Sequence, residues 1–109
     1  SSIFGVVSKS GRTSYSSTKS GLIGLTKAVA LDLAPFNIVV NSVSPGFVDT
    51  ELTRKILNES EINEIEKIIP QKRFASPDEI AKIVILLSSE HNTYINGQNI
   101  IIDGGYTSV

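Results

Sequence analysis

Two short β-branched runs stand far apart in this 109-residue chain, and the stretch between them dictates how they can pair. Ile38-Val39-Val40-Asn41-Ser42-Val43-Ser44, stopped by Pro45-Gly46, reads as one strand, and Asn99-Ile100-Ile101-Ile102 reads as a last one. The residues that join them are patterned for helices, so the strands are expected to pair in parallel through a right-handed crossover, not as a hairpin. Apolar strands separated by long helical segments indicate a doubly wound α/β sheet. Two full strands leave both sheet edges open, so the physics asks for more sheet than this chain supplies.

The remaining elements follow from local signals. Residues 1–7 are expected to be the tail of a buried strand, and Ser8 to Arg12 a loop. Thr13 or Ser14 can cap a helix that runs from Tyr15 to Ala34, where Pro35 stops it. From Gly21 to Leu33 that helix is apolar nearly all round, which predicts cover on two sides, by the sheet and by a partner subunit. Between Thr50 and Phe74, Ile62, Ile65, Ile68 and Ile69 fall at helical spacing, predicting one or two amphipathic helices. Ser76-Pro77-Asp78-Glu79 combines an N-cap serine, proline at the first helical position and a glutamate that closes a capping box. Ile80, Ile83, Val84 and Leu87 then repeat along one face, before a turn at Asn96-Gly97.

Composition excludes several classes. Apolar residues make up 40% and charged residues 19%, which suits a packed globular domain. The net charge is −1 with both signs mixed along the chain, and no basic stripe suggests a nucleic-acid partner. No apolar run approaches the length of a membrane span, so no membrane partner is expected. Without cysteine there is no disulfide framework and no thiolate metal site, compatible with a cytoplasmic protein. His91 stands without a second ligand at metal-binding spacing and reads as a surface loop residue, so no metal is expected. Glu59, Glu61, Glu64, Glu66 and Lys67 read as a solvated face, and Asp103-Gly104-Gly105 as a tight turn. Asp32 opposes the dipole in the last turns of its helix, so a local partner and no chemistry is expected for it. The chain contains no methionine, even at its start, which points to truncation.

The chemistry-bearing pair is Tyr15 and Lys19, four apart at the start of a helix and therefore on one face, about 5–6 Å apart at Cβ. A phenol titrates near ~10 in water and is a poor proton carrier at neutral pH. An ammonium held alongside favours the phenolate, and the positive end of the helix dipole pushes the same way. A tyrosine so placed can exchange a proton with an alcohol or carbonyl oxygen. A hydroxyl from outside the helix can fix that oxygen, and Ser2 lies thirteen residues before Tyr15.

Ser1-Ser2-Ile3-Phe4-Gly5 and Tyr15-Ser16-Ser17-Thr18-Lys19-Ser20-Gly21-Leu22, in that order, resemble the catalytic region of the short-chain dehydrogenase/reductases. Leu31-Asp32-Leu33-Ala34 and Ile38 through Pro45-Gly46-Phe47-Val48-Asp49-Thr50 continue the likeness. Ser76-Pro77-Asp78-Glu79-Ile80-Ala81, Asn96-Gly97-Gln98 and Asp103-Gly104-Gly105 match the family's closing motifs. Each motif alone is weak; their conjunction along the whole chain is specific. The resemblance implies that residues 1–109 are the C-terminal part of one Rossmann-type domain, with the N-terminal half absent and residues 50–75 forming a substrate-binding loop. It implies Tyr15 as general acid/base, Lys19 as the cation that activates it and holds the nicotinamide ribose, and Ser2 as the hydroxyl on the substrate oxygen. Ser1 is the weaker candidate, its spacing to Tyr15 being one residue too long. Pro45, Gly46, Val48 and Thr50 would line the nicotinamide side, where the Pro-Gly turn lets backbone approach a ligand at the carboxyl end of a strand.

The implied activity is hydride transfer between NAD or NADP and a ketone or secondary alcohol. A 3-oxoacyl-carrier-protein reductase-like role leads, and a sugar or polyol dehydrogenase is its nearest rival. A homo-oligomer, dimer or tetramer, is implied through the helix of residues 15–34 and the C-terminal strand. The chain departs from the family in lacking the glycine-rich phosphate loop and the residue that selects between NAD and NADP. The Asn-containing motif that completes the catalytic tetrad is also missing. Taken alone the chain is therefore expected to bind dinucleotide weakly or not at all. The alternative reading is a truncated, non-catalytic module that associates through its apolar helix.

Overall fold

The computed structural model describes residues 2–5 and 9–109. Ser1, and Val6 to Ser8 of the expected strand tail and loop, lie outside the described residues. The part of that tail which is described is not extended: Ile3–Gly5 is a 3-10 turn, closed by the Gly5 amide donating to the Ser2 carbonyl at 2.9 Å. Helix α1 follows over Thr13–Leu33, then a 3-10 turn over Ala34–Phe36, strand β1 over Ser42–Pro45, and helices α2 (Glu51–Ile56) and α3 (Glu59–Ile68). Helix α4 (Pro77–Ser88), strand β2 (Asn99–Ile102) and a final 3-10 turn (Tyr106–Ser108) complete the order.

Helix α1 begins earlier than its sequence suggests. Gly11, with φ of +82°, turns the chain so that Arg12 becomes the N-cap, and neither Thr13 nor Ser14 caps the helix. Its far end runs into Pro35 and stops at Asn37, which adopts a left-handed conformation with φ of 58°. Only Thr26 and Ala30 of α1 are buried, while Leu25 and Leu31 are 58% and 76% exposed. The expected cover on two sides is thus present on one side only among the described residues.

The sheet is parallel, as the spacing required. Ser42 pairs with Asn99 and Pro45 with Ile102, in unbroken register between. The strand is shorter than residues 38–44, for a specific reason. The Val40 amide donates to Asn96 Oδ1 at 2.9 Å, and the Gln98 amide donates to Asn41 Oδ1 at 3.0 Å. The side chains of Asn96 and Asn41, one from each side, therefore take hydrogen bonds a ladder would have used, and pairing starts at Ser42.

Of the one or two amphipathic helices expected, α3 carries Ile62, Ile65 and Ile68, α2 precedes it with Leu52 and Ile56 exposed, and the capped α4 follows. Asn58 caps α3 and Ser76 caps α4, each with a complete capping box closed by Glu61 and Glu79. Among the described residues the buried apolar centre is small: Ile3, Ala30 and Ile69, each 2% exposed. No helix among the described residues is long and apolar enough to cross a membrane.

Candidate active site

Tyr15 and Lys19 lie in the first turns of α1 on one face, with the Lys19 ammonium 5.3 Å from the centroid of the Tyr15 ring. The edge of Phe4 meets the same ring at 6.1 Å and 74°. Phe4 belongs to the turn that carries Ser2, whose Oγ accepts from the Phe4 amide at 3.2 Å. Ser2 is buried, and Tyr15 is 41% exposed.

Two contacts dock this turn on the helix. Ser20 Oγ donates to the Gly5 carbonyl at 2.7 Å. Gly5 lies so close that a Cβ there would stand 3.0 Å from the carbonyl carbon and oxygen of Lys19 and from Ile23 Cδ1. Absence of a side chain is what lets the turn reach the helix backbone at Lys19. The turn also touches β1, so it bridges the helix and the sheet.

The second group of expected residues sits at the carboxyl end of β1. The Gly46 amide donates to the Ile102 carbonyl at 2.9 Å, and a Cβ on Gly46 would lie 2.9 Å from that of Asp103. The chain beyond is pinned by Ala75: Val48 and Ala75 form a parallel bridge, and the Asp49 amide donates to the Ala75 carbonyl at 2.8 Å. Thr50 caps α2 by accepting from the Thr53 amide at 3.2 Å, and Thr53 Oγ1 donates to the Val48 carbonyl at 3.0 Å. Tyr15 and Lys19 thus stand together, with Ser2 linked to them through the Phe4 turn, while Pro45, Gly46, Val48 and Thr50 follow one another at the end of β1.

Ion pairs hold the surroundings. Arg54 grips Asp49 through two hydrogen bonds of 2.7 Å, and this bonding lowers the Asp49 carboxyl and raises the guanidinium. Arg73 grips Glu79 at 2.7 and 2.9 Å; that contact, with the Ser76 amide, pulls the Glu79 carboxyl down to about 2. Burial pushes the Asp103 carboxyl up, but bonds from the Thr107 hydroxyl and amide and the Gly105 amide outweigh it and hold it below the usual range. Asp103 is therefore committed to its turn, which Gly104 and Gly105 complete with φ of +63° and +91°. His91 is exposed in the turn after α4, and no cluster of metal-ligating side chains occurs among the described residues.

A cavity of about 670 Å³ opens beneath α2 and α3, lined by Asp49, Arg54, Leu57, Ile62, Arg73 and Phe74 among others. Sequence reasoning missed Phe4 and Arg12, which flank Tyr15. It also missed the Gly5–Ser20 contact. Only the placement of Gly5 just after Ser2 hinted at a close approach.

The family model described as enoyl-(acyl carrier protein) reductase matches residues 1–107. The chain is 45% identical over 105 residues to the 3-oxoacyl-[acyl-carrier-protein] reductase of Aquifex aeolicus, covering 96% of this chain and 42% of that protein. Among solved structures, a short chain dehydrogenase family protein from Francisella tularensis superposes with a TM-score of 0.91 at 37% identity. That match covers 99% of this chain and 49% of the other. A 4-hydroxyisoleucine dehydrogenase complexed with NADH gives 0.93 at 34% identity, over all of this chain and 45% of the other. The chain spans less than half the length of these relatives. By family model, relatives and fold alike, it belongs to the short-chain dehydrogenases/reductases, as a Rossmann-type α/β segment from their C-terminal part.

Proposed function

We propose that this chain is the proton-handling part of an NAD(P)-dependent oxidoreductase that interconverts a ketone and a secondary alcohol. The observation that carries the reading is the Tyr15–Lys19 pair, an ammonium 5.3 Å from a partly exposed phenol ring, whose neighbour Phe4 shares a turn with the buried Ser2. In the reducing direction the Tyr15 hydroxyl gives its proton to the carbonyl oxygen while Ser2 holds that oxygen; in the oxidising direction Tyr15 takes the proton back. Lys19 would hold the nicotinamide ribose when the cofactor is bound.

The groups present fit the nicotinamide end of a dinucleotide, which supplies or accepts the hydride at the carbonyl carbon when bound. A phenol, an ammonium and the Thr50 hydroxyl are ribose and amide partners. The Pro45-Gly46 turn leaves backbone, not side chain, at the carboxyl end of β1. Residues 50–75 form the substrate-binding segment in this reading, supported by the cavity that α2 and α3 wall. Leu22, Leu25 and Leu31, exposed along α1, support a homo-oligomer contact there.

The test is Tyr15→Phe in the full-length enzyme. Turnover is expected to fall by about a hundredfold or more, since general acid/base catalysis contributes 10²–10⁴-fold. NAD(P)H binding, followed by fluorescence, is expected to persist. Retained turnover refutes the role of Tyr15.

A further inference from the structure

The charge that is mixed over the whole chain is segregated at its start. Residues 1–31 carry Lys9, Arg12, Lys19 and Lys27 and no acidic residue, although the chain as a whole has a net charge of −1. Three of these cations gather on the aromatic pair at the candidate site. The Lys9 ammonium lies 5.7 Å from the Phe4 centroid and the Lys19 ammonium 5.3 Å from that of Tyr15. The Arg12 guanidinium lies 5.9 Å from Phe4 and 6.0 Å from Tyr15.

Arg12 is exposed, and no ion pair to a carboxylate is formed by it among the described residues. The ion pairs among the described residues are Asp49–Arg54, Glu64–Lys67 and Arg73–Glu79, and the first turn of α1 holds no acidic residue. A guanidinium laid on two ring faces keeps its planar fork of donors ordered, which suits two-point recognition of an anion. At 6.0 Å from the Tyr15 ring, it reaches a group only a few bonds from an oxygen bound at the phenol.

We infer that Arg12, backed by Phe4, is the specificity-determining residue of this site and that the substrate is an anionic ketone or alcohol. Its carboxylate or phosphate binds Arg12 while its carbonyl or hydroxyl oxygen meets Tyr15. The inference rests on the proposed role of Tyr15 and narrows the substrate class within it. An uncharged polyol would offer the Arg12 guanidinium no anion.

The experiment uses the full-length enzyme with NADH and NADPH and matched ketone pairs. Short oxo acids, 4-oxopentanoate among them, are set against their methyl esters, and dihydroxyacetone phosphate against dihydroxyacetone; the two arms separate carboxylate from phosphate. The charged member of at least one pair is expected to be preferred. Arg12→Gln is expected to cut that preference in kcat/KM by about ten- to hundredfold, the range a hydrogen-bonded charge pair supplies, mainly through KM. Arg12→Lys is expected to restore part of it. Equal or better turnover of the uncharged members, or a preference that Arg12→Gln leaves intact, overturns the inference. So does failure to reduce any charged member while NAD(P)H still binds. Failure to bind either dinucleotide overturns instead the oxidoreductase reading beneath it.

Discussion

At the scale of single residues, the site depends on a missing side chain as much as on those present. Gly5 approaches the backbone at Lys19, where an added Cβ would stand 3.0 Å from two backbone atoms that cannot swing aside. Gly5→Ala is therefore expected to destabilise by about 1–3 kcal/mol, the usual cost of overpacking. It should also lower kcat by moving Ser2 and Phe4 away from Tyr15. Thermal melting and steady-state kinetics read the two effects; an unchanged midpoint would show that the turn is not docked as described. Ser20→Ala, which removes only the bond to the Gly5 carbonyl, is expected to cost about 1 kcal/mol. At this scale the sequence was informative where spacing along one element carried the signal. Tyr15 and Lys19 share a face because they are four apart in a helix, which a reader can count. Phe4 and Arg12 meet through a turn of irregular backbone, and no period announces such a contact.

At the scale of elements, caps were legible and strand ends were not. Ser76 and Glu79 form their capping box by local chemistry alone, so the motif was sufficient. Ser76→Ala is expected to cost about 1 kcal/mol of stability, measured by urea unfolding. Glu79 adds a pH dependence. Its carboxyl titrates near 2 in the folded chain, held down chiefly by Arg73, against the ordinary carboxylate range when unfolded. Its contribution is thus complete above that ordinary range and is lost as the pH falls toward about 2. The contribution is modest because both side chains are about half exposed and salt screens them. Glu79→Gln should melt below the parent chain near neutral pH, with the gap closing on acidification; a gap of constant size from neutral pH down to about 2 contradicts this assignment. The strand over residues 38–44 was overextended because β-branched residues say nothing of who satisfies their amides. Here Asn96 accepts from the Val40 amide from across the chain, while Asn41 turns its own Oδ1 to the Gln98 amide. Helix α1 was misread at its start because the glycine turn at Gly11 outranks the serine and threonine that follow.

At the scale of the whole molecule, the parallel pairing was legible because a long helical connection leaves little alternative. Apolar composition along α1 fixes what prefers to be buried but not which surface arrives to bury it. Leu25 and Leu31 stand largely in solvent, so Leu25→Lys with Leu31→Lys is expected to leave the melting temperature of the 109-residue chain within a few degrees. Light scattering should fall with the loss of the exposed apolar patch. A collapse of the melting temperature would mean that these leucines are packed within the chain itself.

Strand β2 ends in three consecutive isoleucines, which look alike to any partner strand and carry no information about alignment. Asn99 supplies that information. Its Oδ1 accepts from Ser42 Oγ at 2.9 Å and from Ser44 Oγ at 2.7 Å, and both serines are buried, Ser44 completely. Sliding β2 by two residues would keep every side chain on its proper face yet strand two hydroxyls without an acceptor. One amide oxygen thus acts as the address label of the sheet, and the Pro45-Gly46 turn arrives beside Asp103 because that label is read correctly.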